Sequence, residues 1–215
     1  MSRTVSIDRS RLGRWAENFA SRHGDTTASI TADDGTDLLV LDAADGAQAK
    51  ITISFPPLDS DPGVDPLRCV VDHVAIDRRV GALLVRRGGY AVGVFHGTKL
   101  IKHKVGTGYV QGKTKAGGWS QQRYARRRHN QARQLYDRAA AAAEMILLPA
   151  AADLEALATG GDRAGVEAVL ETPALRALRP LTLPRSYPTD DPRLRTLEAF
   201  PDQFLALDIE LNDLA

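Results

Sequence analysis

Leu12, Trp15 and Phe19 recur at helical spacing within residues 9–22, with Asp8 or Ser10 available as a cap, so a short amphipathic helix is expected near the start of the chain. The period then changes. Thr27–Thr31, Asp37–Leu41 and Ala49–Phe55 read as strands, with Asp34-Gly35 and Asp45-Gly46 between them as hairpin turns. The proline-punctuated run from Pro56 to Pro66 suits neither a helix nor a central strand and predicts a linker. Residues 1–65 therefore read as a small α+β unit with its linker.

Four further strands are expected at Cys69–Ile76, Val80–Val85, Tyr90–Phe95 and Lys99–Val105, with Gly88-Gly89 and His96-Gly97 at turns. Residues 106–118 contain five glycines together with Gln111, Lys113 and Lys115, and offer no apolar face to bury. That composition predicts an exposed, mobile loop of the kind that carries function on a rigid scaffold. From Ser120, a natural N-cap, no Gly or Pro intervenes before Pro149. A helix of about 28 residues, roughly 40 Å long, is expected there.

At 100° per residue, Arg123, Arg126, Arg127, Asn130, Arg133 and Gln134 share one face of this helix. Tyr124, Ala132, Leu135, Ala139, Ala142 and Ile146 share the opposite face, and Arg128 falls on the apolar side. Beyond Pro149, Ala151–Leu157 reads as a short strand or a helix end, Val166–Leu170 as helix, and Pro180–Tyr187 as ambiguous. Pro192–Phe200 looks helical, and Leu205, Leu207, Ile209 and Leu211 alternate as a last strand. The expected fold class is α/β in the α+β sense. A mixed sheet with a long basic helix and a glycine-rich loop occupies residues 66–187, preceded by the small α+β unit and followed by a C-terminal helix and strand at 188–215.

Composition changes this picture at one point. Hydrophobic residues at 43% and charged residues at 26% suit a soluble globular chain. No run of eighteen apolar residues occurs and the first residues, MSRTVSIDRS, lack the apolar segment of a signal peptide, so a cytoplasmic protein with no membrane partner is expected. Cys69 is the single cysteine and the five histidines form no H-x-x-x-H pair, so no metal site is expected. The net charge of +1, however, hides a strong asymmetry. Fourteen of the 28 Lys and Arg residues lie between Arg78 and Tyr136 with no Asp or Glu among them, and the other fourteen share the chain with all 27 acidic residues. This is the footprint of a polyanion-binding face on an otherwise acidic body.

The densest chemistry lies in Gly117-Gly118-Trp119-Ser120-Gln121-Gln122-Arg123-Tyr124-Ala125-Arg126-Arg127-Arg128. Exposed helices usually intersperse Glu with Arg so that neighbours pair along the helix; here no acid is available, which favours phosphate or nucleic-acid contact. The amides point to a second task. Glutamine is a poor acid or base near neutral pH, but it can orient a water and hydrogen-bond a carbonyl or oxyanion, which suffices when the substrate is an activated ester.

The string from Gly117 to Arg126 resembles the glycine-glycine-glutamine loop and following arginine-rich helix of eukaryotic and archaeal class-1 peptide-chain release factors, whose pattern runs Gly-Gly-Gln-Ser-x-x-Arg-Phe-x-Arg. Ala75-Ile76-Asp77-Arg78-Arg79 and the hairpin after it are similar to the central domain of those factors. The nearer resemblance is to the actinobacterial branch of the Vms-like release-factor family. It is carried by residues 68–148 and extends to about 187. One departure matters: Trp119 stands where the release factors have their catalytic glutamine, and the amides follow at Gln121 and Gln122.

The resemblance implies a peptidyl-tRNA hydrolase that acts on stalled large ribosomal subunits, as a monomer and without a cofactor. Gln121 is the first candidate for the water-holding amide and Gln122 the second, with Gly117 and Gly118 allowing close approach to the CCA end. Lys113, Lys115, Arg123, Arg126 and Arg127 would neutralise RNA phosphates, and Trp119 would either stack on a terminal base or anchor the loop. Two other readings stay open: an endonuclease that cuts the tRNA near its CCA end, and a non-catalytic factor that binds ribosomal RNA.

Overall fold

Alternation of Val5 and Ile7 with polar neighbours makes Arg3–Asp8 a strand (β1), one not expected from the sequence. A computed structural model shows it and describes residues 3–33, 36–58, 63–108 and 119–215, with side chains between 119 and 130 described only at Arg126 and Asn130. A 3-10 turn capped by Asp8 leads into helix α1 (Leu12–His23), followed by β2 (Thr26–Asp33), β3 (Thr36–Ala43), β4 (Gln48–Thr52) and helix α2 (Pro66–Ala75). Contacts divide the chain into two units, residues 1–76 with 201–215, and residues 77–200.

In the first unit the C-terminal strand, Ala206–Leu211, lies between β1 and β4 in an antiparallel sheet whose order continues through β3 to β2. Register aligns Val5, Ile209, Ile51, Leu39 and Ile30 in one apolar row across all five strands. That row and its neighbours pack against Leu12, Ala16 and Phe19 of α1 and Val70 and Val74 of α2. Fully burying each such Leu, Ile or Phe contributes about 1.5–3 kcal/mol.

Two expectations are corrected here. Residues 69–75 are helical, because the Asp65 carboxylate accepts the Arg68 backbone N–H at 2.9 Å as an N-cap, Pro66 occupies the first turn, and Leu67, Val70, Val71 and Val74 recur at helical spacing. Residues 201–215 are no separate tail. Their strand completes the N-terminal sheet, so this unit extends to residue 76 and recruits the end of the sequence.

The second unit is built on a mixed sheet. Its strands are β5 (Arg79–Arg86), β6 (Gly89–His96), β7 (Lys99–Thr107), β8 (Ala156–Gly161) and β9 (Thr182–Tyr187), in the order β7-β6-β5-β8-β9. β5, β6 and β7 are antiparallel, whereas β8 pairs parallel to β5 and β9 parallel to β8. The central β5 is buried without alternation from Val80 to Val85, as expected of a strand covered on both faces. Helix α3 (Trp119–Leu147) and helix α4 (Arg163–Leu170) cover one face. On the other, the short helix α5 (Leu194–Glu198) brings Leu197 so near Gly93 that an added Cβ would lie 3.1 Å from it. The alanines at 139, 140, 142 and 143 are buried and let α3 approach the sheet closely.

Candidate RNA-facing site

Leu135 is the first residue of α3 that is buried among the described side chains, and Ala139, Ala143, Ile146 and Leu147 continue the buried stripe. The helix nevertheless begins sixteen residues earlier, at Trp119, so it extends about 24 Å beyond Leu135 at 1.5 Å per residue. Arg126, Asn130, Arg133, Gln134 and Arg138 are exposed along it. Half of the helix is anchored by the core and half carries polar chemistry.

The root of the glycine-rich segment is held firmly. Gly108 donates its N–H to the Gly88 carbonyl at 3.0 Å. A Cβ on Gly108 would lie 2.6 Å from Leu135 and 3.0 Å from the Arg138 guanidinium, and one on Gly106 would run into the Tyr90 ring. The expectation of a loop from residue 106 is therefore corrected: β7 runs to Thr107, and Gly106 and Gly108 are glycines because buried Tyr90 and Leu135 leave no room for a side chain.

The helix start also differs from expectation. Ser120 was expected as the N-cap, but Trp119 is already helical, so Ser120, Gln121 and Gln122 belong to the first turn. The first backbone N–H groups of a helix have no intrahelical partner and lie at the positive end of its dipole, a setting that favours an oxyanion or phosphate nearby. No acidic residue occupies that turn. Lys113, Lys115, Gly117 and Gly118 lie outside the described residues. Trp119, Gln121, Gln122, Arg123 and Arg127 are placed by their backbone, and Arg126 is exposed.

The family model for the Actinobacteria/chloroflexi VLRF1 release factor matches residues 78–210. The chain belongs to this family. The match takes in the mixed sheet, the glycine-rich segment and α3, and runs into the C-terminal strand. Among solved structures, an archaeal translation termination factor, aRF1, is similar at 14% identity and a TM-score of 0.46, covering 93% of this chain and 73% of that one. A structure described as an archaeal protein is similar at 17% identity and a TM-score of 0.38, covering 81% of this chain and 51% of its own. No curated protein matches the chain.

Within this release-factor-like protein, part of the acid-free basic stretch serves the fold. Arg78 is buried, with its guanidinium 3.7 Å from Glu155, and Arg79 pairs with Asp153 at 3.0 Å while its backbone N–H donates to the Glu155 carboxylate. Arg86 donates to the Thr189 carbonyl at 2.7 Å. The acids come from residues more than seventy positions away, which a local charge count does not see. Tyr136, also missed by sequence reasoning, ties α3 to the turn before α4. Among the described residues no cluster of His, Cys, Asp and Glu could hold a metal ion, and no helix is long and apolar enough to cross a membrane.

Proposed function

We propose that this protein hydrolyses the ester joining a nascent peptide to tRNA on a stalled large ribosomal subunit. The observation that carries the reading is the position of Gln121 and Gln122 in the first turn of α3, whose other half is rooted in the core. A rigid rod of this kind delivers its tip into a narrow, anionic site. The family supports a release-factor-like role for it.

Gln121 holds a water by its side-chain amide beside the ester carbonyl. The water oxygen bonds to that carbon, the bond to the ribose 3′ oxygen breaks, and the proton passes to the departing oxygen by way of the tRNA 2′-hydroxyl. The products are a free peptide carboxylate and a tRNA with an intact 3′ hydroxyl. Trp119 stacks on a terminal base, Gly117 and Gly118 permit close backbone approach, and Lys113, Lys115, Arg123, Arg126 and Arg127 neutralise phosphates. The protein acts as a monomer in the cytoplasm.

The test is release of labelled peptide from peptidyl-tRNA on purified large subunits, with wild type beside the Gln121→Ala, Gln122→Ala double variant, followed by sizing of the tRNA. Release by wild type alone with full-length tRNA is expected. A shortened tRNA would replace hydrolysis by strand cleavage, and binding without release by either protein would leave a non-catalytic ribosome-binding factor.

A further inference from the structure

Among the described residues β7 is an edge strand, paired with β6 alone. Lys99, Ile101, Lys102, His103 and Lys104 are all exposed along it. Lysines on an edge strand commonly block edge-to-edge association. The other edges of this protein do without them: β2 reads Thr-Thr-Ala-Ser-Ile-Thr-Ala-Asp, and β9 offers Pro184 and a single Arg185. Three lysines and a histidine within six residues exceed what edge protection needs here.

The lysines are uncompensated. Among the described residues none of the three is in an ion pair with a carboxylate, and Lys102 donates instead to the Met145 carbonyl of α3 at 3.4 Å. That bond places the strand alongside the helix. Further along, the Arg138 guanidinium reaches Gly108, just past the end of β7. By helical rotation Gln134, Arg138 and Met145 fall on one stripe of α3, whereas its acids Asp137 and Glu144 lie about 100° away. Lys102 and Lys104, two positions apart on one face of the strand, are spaced by about 6.6 Å. Lys99, Lys102 and Lys104 and the helix stripe thus form one continuous cationic track, with no acid on it among the described residues.

We propose that this track, made by Lys99, Lys102 and Lys104 of β7 with Arg138 of α3, docks on the phosphate backbone of ribosomal RNA. It is separate from the first turn of α3, which carries the reaction. The inference rests on the reading that the partner is ribosomal, and not on the chemistry assigned to Gln121. Lysine ammonium groups along a strand hold a backbone by charge and spacing, so the grip is independent of base sequence.

The test uses the full chain with Lys99→Gln, Lys102→Gln and Lys104→Gln combined, and separately Arg138→Gln, after thermal unfolding has shown that both variants fold. Binding is measured to purified large subunits and to the deproteinised RNA from them, between about 50 and 200 mM salt, alongside peptide release. For the triple variant the slope of log K against log salt becomes shallower by about 3 on both targets, and for Arg138→Gln by about 1. The half-saturating concentration for release rises in step. Unchanged slopes on both targets would overturn the proposal, as would a loss confined to intact subunits, which would assign the track to a ribosomal protein. Wild type that binds with the expected slopes but releases no peptide would overturn the hydrolase reading and leave this one standing.

Discussion

The Tyr136 hydroxyl on α3 donates to the Asp162 carboxylate, 3.4 Å away, at the turn that opens α4. Gly165 of α4 lies so close that an added Cβ would be 2.9 Å from the Tyr136 ring and 2.8 Å from Val85. Ring packing and one long hydrogen bond therefore fix the middle of α3 against α4, the other helix on that face of the sheet.

This contact makes stability depend on alkaline pH. Burial raises the Tyr136 pKa above its ordinary value of 10.0 and the Asp162 charge adds to the shift, while Arg87 opposes it. The folded pKa lies above the unfolded one, so the neutral phenol's contribution is complete below the unfolded pKa and disappears as pH rises through the folded pKa. Wild type should lose stability as pH rises past about 10. Tyr136→Phe should flatten that loss while costing about 0.5–1.5 kcal/mol at neutral pH, both read from denaturant midpoints.

Gly106→Ala should destabilise the second unit by about 1–3 kcal/mol, because the Tyr90 ring occupies the space the methyl group needs. Combining it with Tyr90→Ala should recover part of the loss from Gly106→Ala in a double-mutant cycle. A glycine present only to keep a loop supple would show no such coupling.

Arg78 and Arg126 should part company. Arg78→Ala removes a buried guanidinium beside Glu155 and should cost about 1–3 kcal/mol in unfolding while leaving the salt dependence of RNA binding unchanged. Arg126→Ala should leave stability within about 0.5 kcal/mol. Its signature is a salt slope shallower by about 1. Paired melting curves and binding isotherms at several salt concentrations separate the two.

Gln121 and Gln122 are consecutive in a helix and so lie about 100° apart around its axis. Gln121→Ala should reduce peptide release by about 10²–10³-fold with subunit binding retained. Gln122→Ala should reduce it less. Equal losses would mean that both amides serve the reacting centre, and an unchanged rate for Gln121→Ala would remove it from the mechanism.

Much of this architecture was legible in the sequence where local pattern and tertiary environment agree. The long basic helix, the hairpins around Gly88-Gly89 and His96-Gly97 and the final alternating strand all lie near their expected places. Residues 69–76 misled because a short apolar run suits a buried strand as well as a helix; the deciding signals were Asp65 and Pro66, which read equally well as a linker. Gly106 and Gly108 misled for another reason. The need for glycine there comes from Tyr90 and Leu135, which are distant in sequence, and composition alone makes a packed glycine look like a supple one. Arg78 and Arg79 belong to the same class, their partners Glu155 and Asp153 reaching them only through the parallel pairing of β5 with β8.

Among the described residues the strand at 206–211 is the one partner of β1 in its sheet, and it separates β1 from β4. During synthesis the ribosome makes residues 1–76 first, but their sheet lacks an interior strand until every residue of the 77–200 unit has been made. Order of synthesis and order of folding are thus uncoupled. The sheet that is begun first is completed last, by the strand at residues 206–211.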